Sequence, residues 1–346
     1  MHVFRGLIGL CLLAFAGAVV AADQCPLLRA SQSDQAVSTR IAAAACDQHV
    51  RWQRPFIGID GLLASSMVAE GESLGLEGGG APWRQVAMYW RDAGLLERTS
   101  AAGANDCMYA SANAASSGLA CRGFVIDKPW SAAFISWVMR RAGVPGFRHS
   151  SAHYDYVRAA RTDPAGSPYM FMDPAVASLA TGDMLCYVRT NRVYRHQGLA
   201  SAIDGGAEGL NMHCDIVVAA NPAGDAKVYL VGGNVQQAVT MRVFNLNSGG
   251  RIWGLPQRTE GDVECSPDTA VACNFNRQDW AAVLKLKPQA ELAKLGSVDP
   301  PSLLPNGDAT PRQACCVSCV VGSGIPRCPA PGAAQRQPWV VPPANE

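Results

Sequence analysis

Pro129-Trp130-Ser131-Ala132-Ala133-Phe134-Ile135-Ser136-Trp137-Val138 is the stretch on which the fold turns. Trp130, Ala133, Phe134, Trp137 and Val138 recur at helical spacing, which predicts a helix buried along one face. Pro129 suits the start of such a helix and Gly143 its end. Ser131 then falls in the first turn, where backbone N–H groups point outward and favour negative charge. Two readings are open at that position. Serine is a favoured helix cap, and a hydroxyl held there is also a candidate nucleophile.

Upstream, Asp34 to Val50 has Ala-rich helical character, Glu70 to Gly80 reads as a Gly-rich loop, and Pro82 opens a helix carrying Trp83, Val86, Ala87 and Trp90. Residues 98–123 read as an irregular loop, and Ser151 to Arg161 as a third helix. Downstream the period changes. Met184–Val188, His213–Ala219, Lys227–Val231 and Val239–Phe244 alternate as strands, with Asn221-Pro222-Ala223-Gly224-Asp225 as a turn. Helices followed by antiparallel strands predict an α+β domain. Beyond residue 257 the expectation is a short helix near Asp279 to Leu286 and then a Pro-rich extended tail. The implied division is a leader over 1–22, an N-terminal extension over 23–80, the main domain over 81–257 and a Cys/Pro-rich extension over 258–346.

Arg5, the apolar run Leu7–Val20 and the small residues Val20-Ala21-Ala22 have the form of a secretory signal peptide, too short for a stable membrane span. Without Cys11 the chain keeps twelve cysteines. An even set in an exported protein points to disulfides. Sequence neighbours suggest Cys25–Cys46, Cys107–Cys121 and Cys265–Cys273, while Cys186 and Cys214 on neighbouring strands suit a cross-strand pair. Cys315, Cys316, Cys319 and Cys328 imitate a zinc knot but have no histidine among them, so a disulfide-tied tail is the expected reading. A net charge of +1 with no basic run gives nucleic-acid binding no electrostatic basis.

Strand alternation places His213, Asp215 and Val217 on one face and Cys214 and Ile216 on the other. Pairing Ala220 with Ala226 across the turn sets His213 opposite Gly233, with Asn234 beside it. Gly232 and Gly233 would let the backbone approach a ligand or the helix of Ser131 closely. A nucleophile at a helix start, an imidazole on an adjacent strand and a third polar group to orient the ring form a familiar catalytic logic.

The ordered set Pro129-Trp130-Ser131-Ala132-Ala133-Phe134, Gly182-Asp183-Met184-Leu185, His213-x-x-Ile216-Val217 and Gly233-Asn234 resembles CHAP and NlpC-type papain-like amidases. It resembles still more an exported bacterial family of unknown function related to them, with serine in place of the catalytic cysteine. The resemblance covers residues 80–257 and implies papain-like helices packed on an antiparallel sheet. It implies an exported, periplasmic or secreted hydrolase that cleaves an amide in cell-wall peptide and requires no metal or organic cofactor. Ser131 would attack, His213 would shuttle the proton, and Asn234, or alternatively Asp215, would orient the ring. Trp130, His153 and Gly233 would line the substrate site. Each residue also has a plainer reading: Trp130 as core, His153 as a helix-surface or cap residue, His213 as a satisfied strand histidine, Asp215 as a salt-bridged strand residue, Asn234 as part of its turn. Loss of the cysteine equally suits a non-catalytic module that binds cell wall or a protein partner, and a third alternative is a serine esterase or acyltransferase.

Overall fold

The computed structural model describes residues 23–66, 68–110 and 118–301. The expected leader over 1–22 and the tail cysteines Cys315, Cys316, Cys319 and Cys328 lie outside the described residues.

The chain opens with two helices, α1 (Cys25–Leu28) and α2 (Val37–Arg51), tied by the Cys25–Cys46 disulfide. Two short strands, β1 (Phe56–Ile57) and β2 (Leu63–Ala64), precede α3 (Pro82–Asp92), which begins at its proline as predicted. The segment expected as an irregular loop instead holds two short helices, α4 (Ala104–Met108) and α5 (Gly118–Asp127). Such short helices are marginal alone, and the Cys107–Cys121 disulfide staples one to the other. The Ala/Ser/Gly composition concealed them, because they depend on the crosslink more than on an apolar stripe. Then come α6 (Ser131–Arg141) and α7 (His153–Thr162).

The second half supplies β3 (Tyr169–Met172), β4 (Met184–Val188), α8 (Arg195–Asp204), β5 (Met212–Ala220), β6 (Lys227–Val235), β7 (Ala238–Asn245), β8 (Asp279–Leu286) and α9 (Gln289–Leu292). Eight strands form one open sheet in the order β2-β1-β7-β6-β5-β4-β8-β3. Only the β1–β7 neighbours run parallel. The protein is thus a mixed α/β fold with a mostly antiparallel sheet, and α2, α6 and α7 all pack against β5.

Asp279–Leu286 corrects the expected helix. It is a buried strand between β4 and β3. Asp-Trp-Ala-Ala-Val-Leu-Lys-Leu is a continuous apolar run, which a buried strand and a short helix share. The unpaired edges of β4 and β3 decide it, since β8 satisfies both. The sheet therefore draws strands from either side of residues 81–257. Gly182 and Asp183 anchor the same region: the buried Asp183 carboxylate accepts from the backbone N–H of Leu286 (2.9 Å) and Ala180 (2.7 Å) and from Lys285 Nζ (2.7 Å).

Register in the central hairpin departs from the expected pairing for a stated reason. The turn is two residues longer, with Ala220 opposite Val228, and a bulge at Val218 takes one residue back, so that Ile216 faces Val231. The Cys186–Cys214 disulfide joins directly paired residues of β4 and β5, and Cys265–Cys273 closes a later loop. Four disulfides among the described residues fit an oxidising, extracytoplasmic compartment. No described helix is long and apolar enough to cross a membrane.

Gly233 on β6 is the point where α6 meets the sheet. A Cβ there would lie 2.5 Å from both Cβ and Cγ of Phe134. Gly233→Ala is therefore expected to push α6 off β6 and lower stability by about 1–3 kcal/mol, the cost of overpacking a filled core. A thermal melt unchanged from wild type would show that the helix can move aside freely.

Candidate functional site

Two helix starts converge. Ser131 is the first residue of α6 and His153 the first of α7. Their relative position is set by a pair of bonds further along: Ser136 Oγ donates to the Ser150 carbonyl (2.8 Å) and accepts from the Ser150 N–H (3.0 Å). Ser150 Oγ in turn accepts from the Ala152 N–H (3.0 Å) and donates to Asp155 Oδ2 (2.6 Å), which shapes the entry into α7. The outcome is a hydrogen bond of 2.7 Å between Ser131 Oγ and His153 Nε2. Tyr156, one turn on from His153, places its hydroxyl on the other ring nitrogen, Nδ1.

The proton positions along Ser131–His153–Tyr156 follow from counting. Burial pushes His153 well below its ordinary range, with further lowering from His213 and Arg189, so the ring is neutral. Burial pushes the Tyr156 phenol well up, so it keeps its proton. A neutral imidazole has one donor and one acceptor. The chain can therefore run from Tyr156 O–H to Nδ1 and from Nε2–H to Ser131, or in reverse from Ser131 O–H to Nε2 and from Nδ1–H to Tyr156. Only the second arrangement leaves Nε2 ready to accept the serine proton. Each leaves one terminal hydroxyl hydrogen without a protein acceptor, so neither is favoured by the bond count.

A second buried cluster lies against the first. The His213 ring is 5.0 Å from that of His153, centroid to centroid, and 5.2 Å from that of Tyr187. His213 Nε2 and Asp215 Oδ1 are 2.9 Å apart, and Arg242 Nε donates to Asp215 Oδ2 at 2.9 Å. Burial and the nearby Arg189 push His213 down to about 4 against the pull of Asp215. Burial opposes the Asp215 anion, but His213 and Arg242 still carry it below the usual carboxylate value. The pair is thus a neutral imidazole donating to a carboxylate, and His213 Nδ1 remains a buried acceptor with no partner. Gly232 makes the cluster possible, since a Cβ there would overlap Asp215 Oδ1.

The pH dependence has a definite sign. His213 has a folded pKa below the unfolded value of about 6.5, so between pH 6.5 and 4 only the unfolded chain takes up the proton. Stability is full above that window and is lost as the pH falls through it, by about 3 kcal/mol from His213 alone. The depression of His153 acts in the same direction. Urea midpoints should drop clearly from pH 7 to pH 5; constant midpoints would show that these rings are not held neutral.

The predicted site residues are distributed as follows. Ser131 meets His153 and has no bond to His213. Ser131 does not cap its helix; Trp130 occupies the cap position, without a side-chain bond. Asn234 does not bond the His213 ring. With its amide oriented to satisfy both ends, it accepts from the Trp130 N–H and donates to Glu70 Oε2, each at 3.2 Å, so it caps α6 from the end of β6. Trp130 is core: it stacks on Trp52 at 5.5 Å and donates its indole N–H to Glu70 at 2.5 Å. Gly233 serves the close approach of α6 described above. Asp215 meets His213, but that ring makes no bond to Ser131.

Sequence reasoning passed over Tyr156, Arg242, Tyr187 and Glu70. His153-x-x-Tyr156 was legible as an i,i+3 pair on one helix face. Arg242 was not, because its bond reaches across β6 over Gly232. An open cleft of about 520 Å³ adjoins this cluster, with Tyr187, Arg189, Asn234, Gln236, Arg242 and Arg258 in its lining. Among the described residues Asp23, Cys25 and His49 form a compact group of potential metal ligands, but the Cys25 sulfur is spent in a disulfide.

A sequence profile described as an uncharacterized protein conserved in bacteria, DUF2272, matches residues 77–286, and the chain belongs to that family. No curated protein and no solved structure matches it. The matched span contains both histidine clusters and Ser131 and leaves out Glu70.

Proposed function

We propose that this protein is an exported papain-like hydrolase of the periplasm or the extracellular space, cleaving an amide bond in cell-wall peptide with Ser131 as nucleophile and His153 as its base. The observation that carries the reading is the 2.7 Å bond from Ser131 Oγ to His153 Nε2 at the start of α6. The ordered resemblance to CHAP and NlpC-type amidases supports the substrate class, with the base moved from the strand to α7.

The chemistry runs through the tautomer with Nε2 free. Ser131 Oγ bonds to the carbonyl carbon as its proton passes to His153 Nε2. The imidazolium so formed donates Nδ1–H to Tyr156. Negative charge on the carbonyl oxygen develops near the first N–H groups of α6, where the helix favours it. The C–N bond then breaks and the amine leaves with the proton from Nε2; water attacks the acyl-serine as His153 takes its proton, the ester C–O bond breaks to release the acid, and Nε2 returns that proton to Ser131 Oγ. A serine cannot ionise at neutral pH as a thiol does at a helix start, so the base is indispensable.

Burial supports a second reading. Ser131 is 5% exposed and His153 4%, as in a folded module that binds without turnover. Incubating the full chain with peptidoglycan and assaying new amine termini separates the two. Wild type is expected to release them and Ser131→Ala not to. Release by neither, with binding retained by both, would establish the binding module; equal release by both would remove Ser131 from the chemistry.

A further inference from the structure

Two arginines of the cleft beside His213 have no carboxylate partner among the described residues. Arg189 is exposed on its rim, donates to Tyr187 Oη (3.0 Å) and lies over the Tyr187 ring, and has no carboxylate partner among the described residues. Arg258 is half-buried and held by the backbone carbonyls of Thr190 and Arg192. Of the three lining arginines only Arg242 is paired with a carboxylate, Asp215. The lining contains no aspartate or glutamate. Asp262, which feels Arg258, is paired with Arg277. The rest of the wall offers carboxamides: Asn191, Asn234, Gln236 and Gln278. Side-chain amides both donate and accept, which suits peptide bonds. Guanidinium groups fixed in place suit a carboxylate. A cleft lined by one sign of charge also concentrates ligands of the other sign.

We infer that this cleft binds an acidic peptide, its carboxylate held by Arg189 and Arg258 and its backbone by the surrounding carboxamides. Asn234 joins the cleft to the catalytic helix, since the same side chain lines the cleft and caps α6 at Trp130. The inference deepens the hydrolase reading and rests on it for the peptide nature of the ligand, but its test measures binding.

Full-length Ser131→Ala protein is titrated by calorimetry with acetyl-Ala-Glu-Ala-amide and with acetyl-Ala-Gln-Ala-amide, which differ in one carboxylate. The acidic peptide is expected to bind about tenfold tighter, the scale of one or two partly exposed charge contacts. Arg189→Gln should erase the preference, and so should roughly 0.5 M salt, where charges a few ångström apart are already screened. Arg258→Gln and the salt series carry the same readout if Arg189→Gln does not fold. Equal binding of the two peptides, or binding of neither, overturns the inference. So does binding of inorganic phosphate without binding of the acidic peptide. An Arg189-dependent preference, with no amine termini released from peptidoglycan by wild type, would remove the hydrolase reading and leave the cleft assignment standing. Cleavage of both peptides at equal rates would do the reverse.

Discussion

His153→Ala is expected to abolish amide cleavage as completely as Ser131→Ala, each by about a thousandfold or more, with the double variant no worse than either single one. The non-additivity follows from the geometry. Among the described residues Ser131 Oγ has one hydrogen-bond partner, His153 Nε2. Without the imidazole the hydroxyl has no acceptor for its proton, and without the hydroxyl the imidazole has nothing to deprotonate. His213→Ala provides the contrast. Its Nε2 is committed to Asp215 and it makes no bond to Ser131, so the folded fraction should keep measurable turnover while losing stability. Initial rates of the three variants, corrected for folded protein by near-UV circular dichroism, decide the matter. An active His153→Ala beside a silent His213→Ala would return the general base to the strand, where sequence pattern alone had placed it.

That contrast marks where the sequence was legible and where it was not. The helix of Ser131, the strands around His213 and Asn234, and the glycine contact at 233 follow from periodicity and from the need for a small residue where helix meets sheet. Each is a local signal or a steric one. The partner of Ser131 is neither. Strand arithmetic from the Asn221–Asp225 turn could bring His213 to the right region, yet it could not show that α7 inserts His153 between that strand and the start of α6. Helix packing of this kind is set by distant contacts, here the Ser136–Ser150 pair, which carry no spacing rule. Asn234 was recognised as important and given the wrong partner, because the bulge between Gly232 and Val235 and a left-handed Asn234 (φ 54°) redirect its side chain. Asp279–Leu286 failed for the opposite reason. Its pattern was clear but degenerate, and only the empty strand edges on either side select β over α.

The two histidine clusters differ in charge. Ser131, His153 and Tyr156 are neutral in the resting state and can reverse the direction of both hydrogen bonds together. Asp215 and Arg242 are charged and fixed. Asp215 is paired with Arg242, and both His213 and Arg189 disfavour a charged His153, so in the proposed mechanism the imidazolium leans on its Nδ1–H bond to Tyr156. Burial and Arg189 keep His213 neutral, and in the proposed mechanism this spares the His153 imidazolium a second cation 5.0 Å away.

Asp215→Ala is expected to lower the unfolding free energy by about 3–5 kcal/mol, because removing one partner of a buried ion pair strands the other. Arg242 is 2% exposed and would keep only the Phe275 carbonyl (2.5 Å) and Asn276 Oδ1 (3.3 Å) for its guanidinium. His213 would lose the acceptor for its one N–H while its Nδ1 is already unpartnered. Against a typical stability of about 5–15 kcal/mol, that loss is a large share of the whole. Asp215→Asn should recover only part of it. The amide oxygen can accept from Arg242 while the NH₂ donates to His213 Nε2, but the ring proton then sits on the buried, unpartnered Nδ1 and the anion facing Arg242 is gone. Replacing both charges, as in Asp215→Leu with Arg242→Met, should cost less than Asp215→Ala alone, since no ion is left buried. Urea unfolding with the disulfides intact measures all three. A loss below about 1 kcal/mol for Asp215→Ala, the range of exposed pairs, would show that water reaches Arg242.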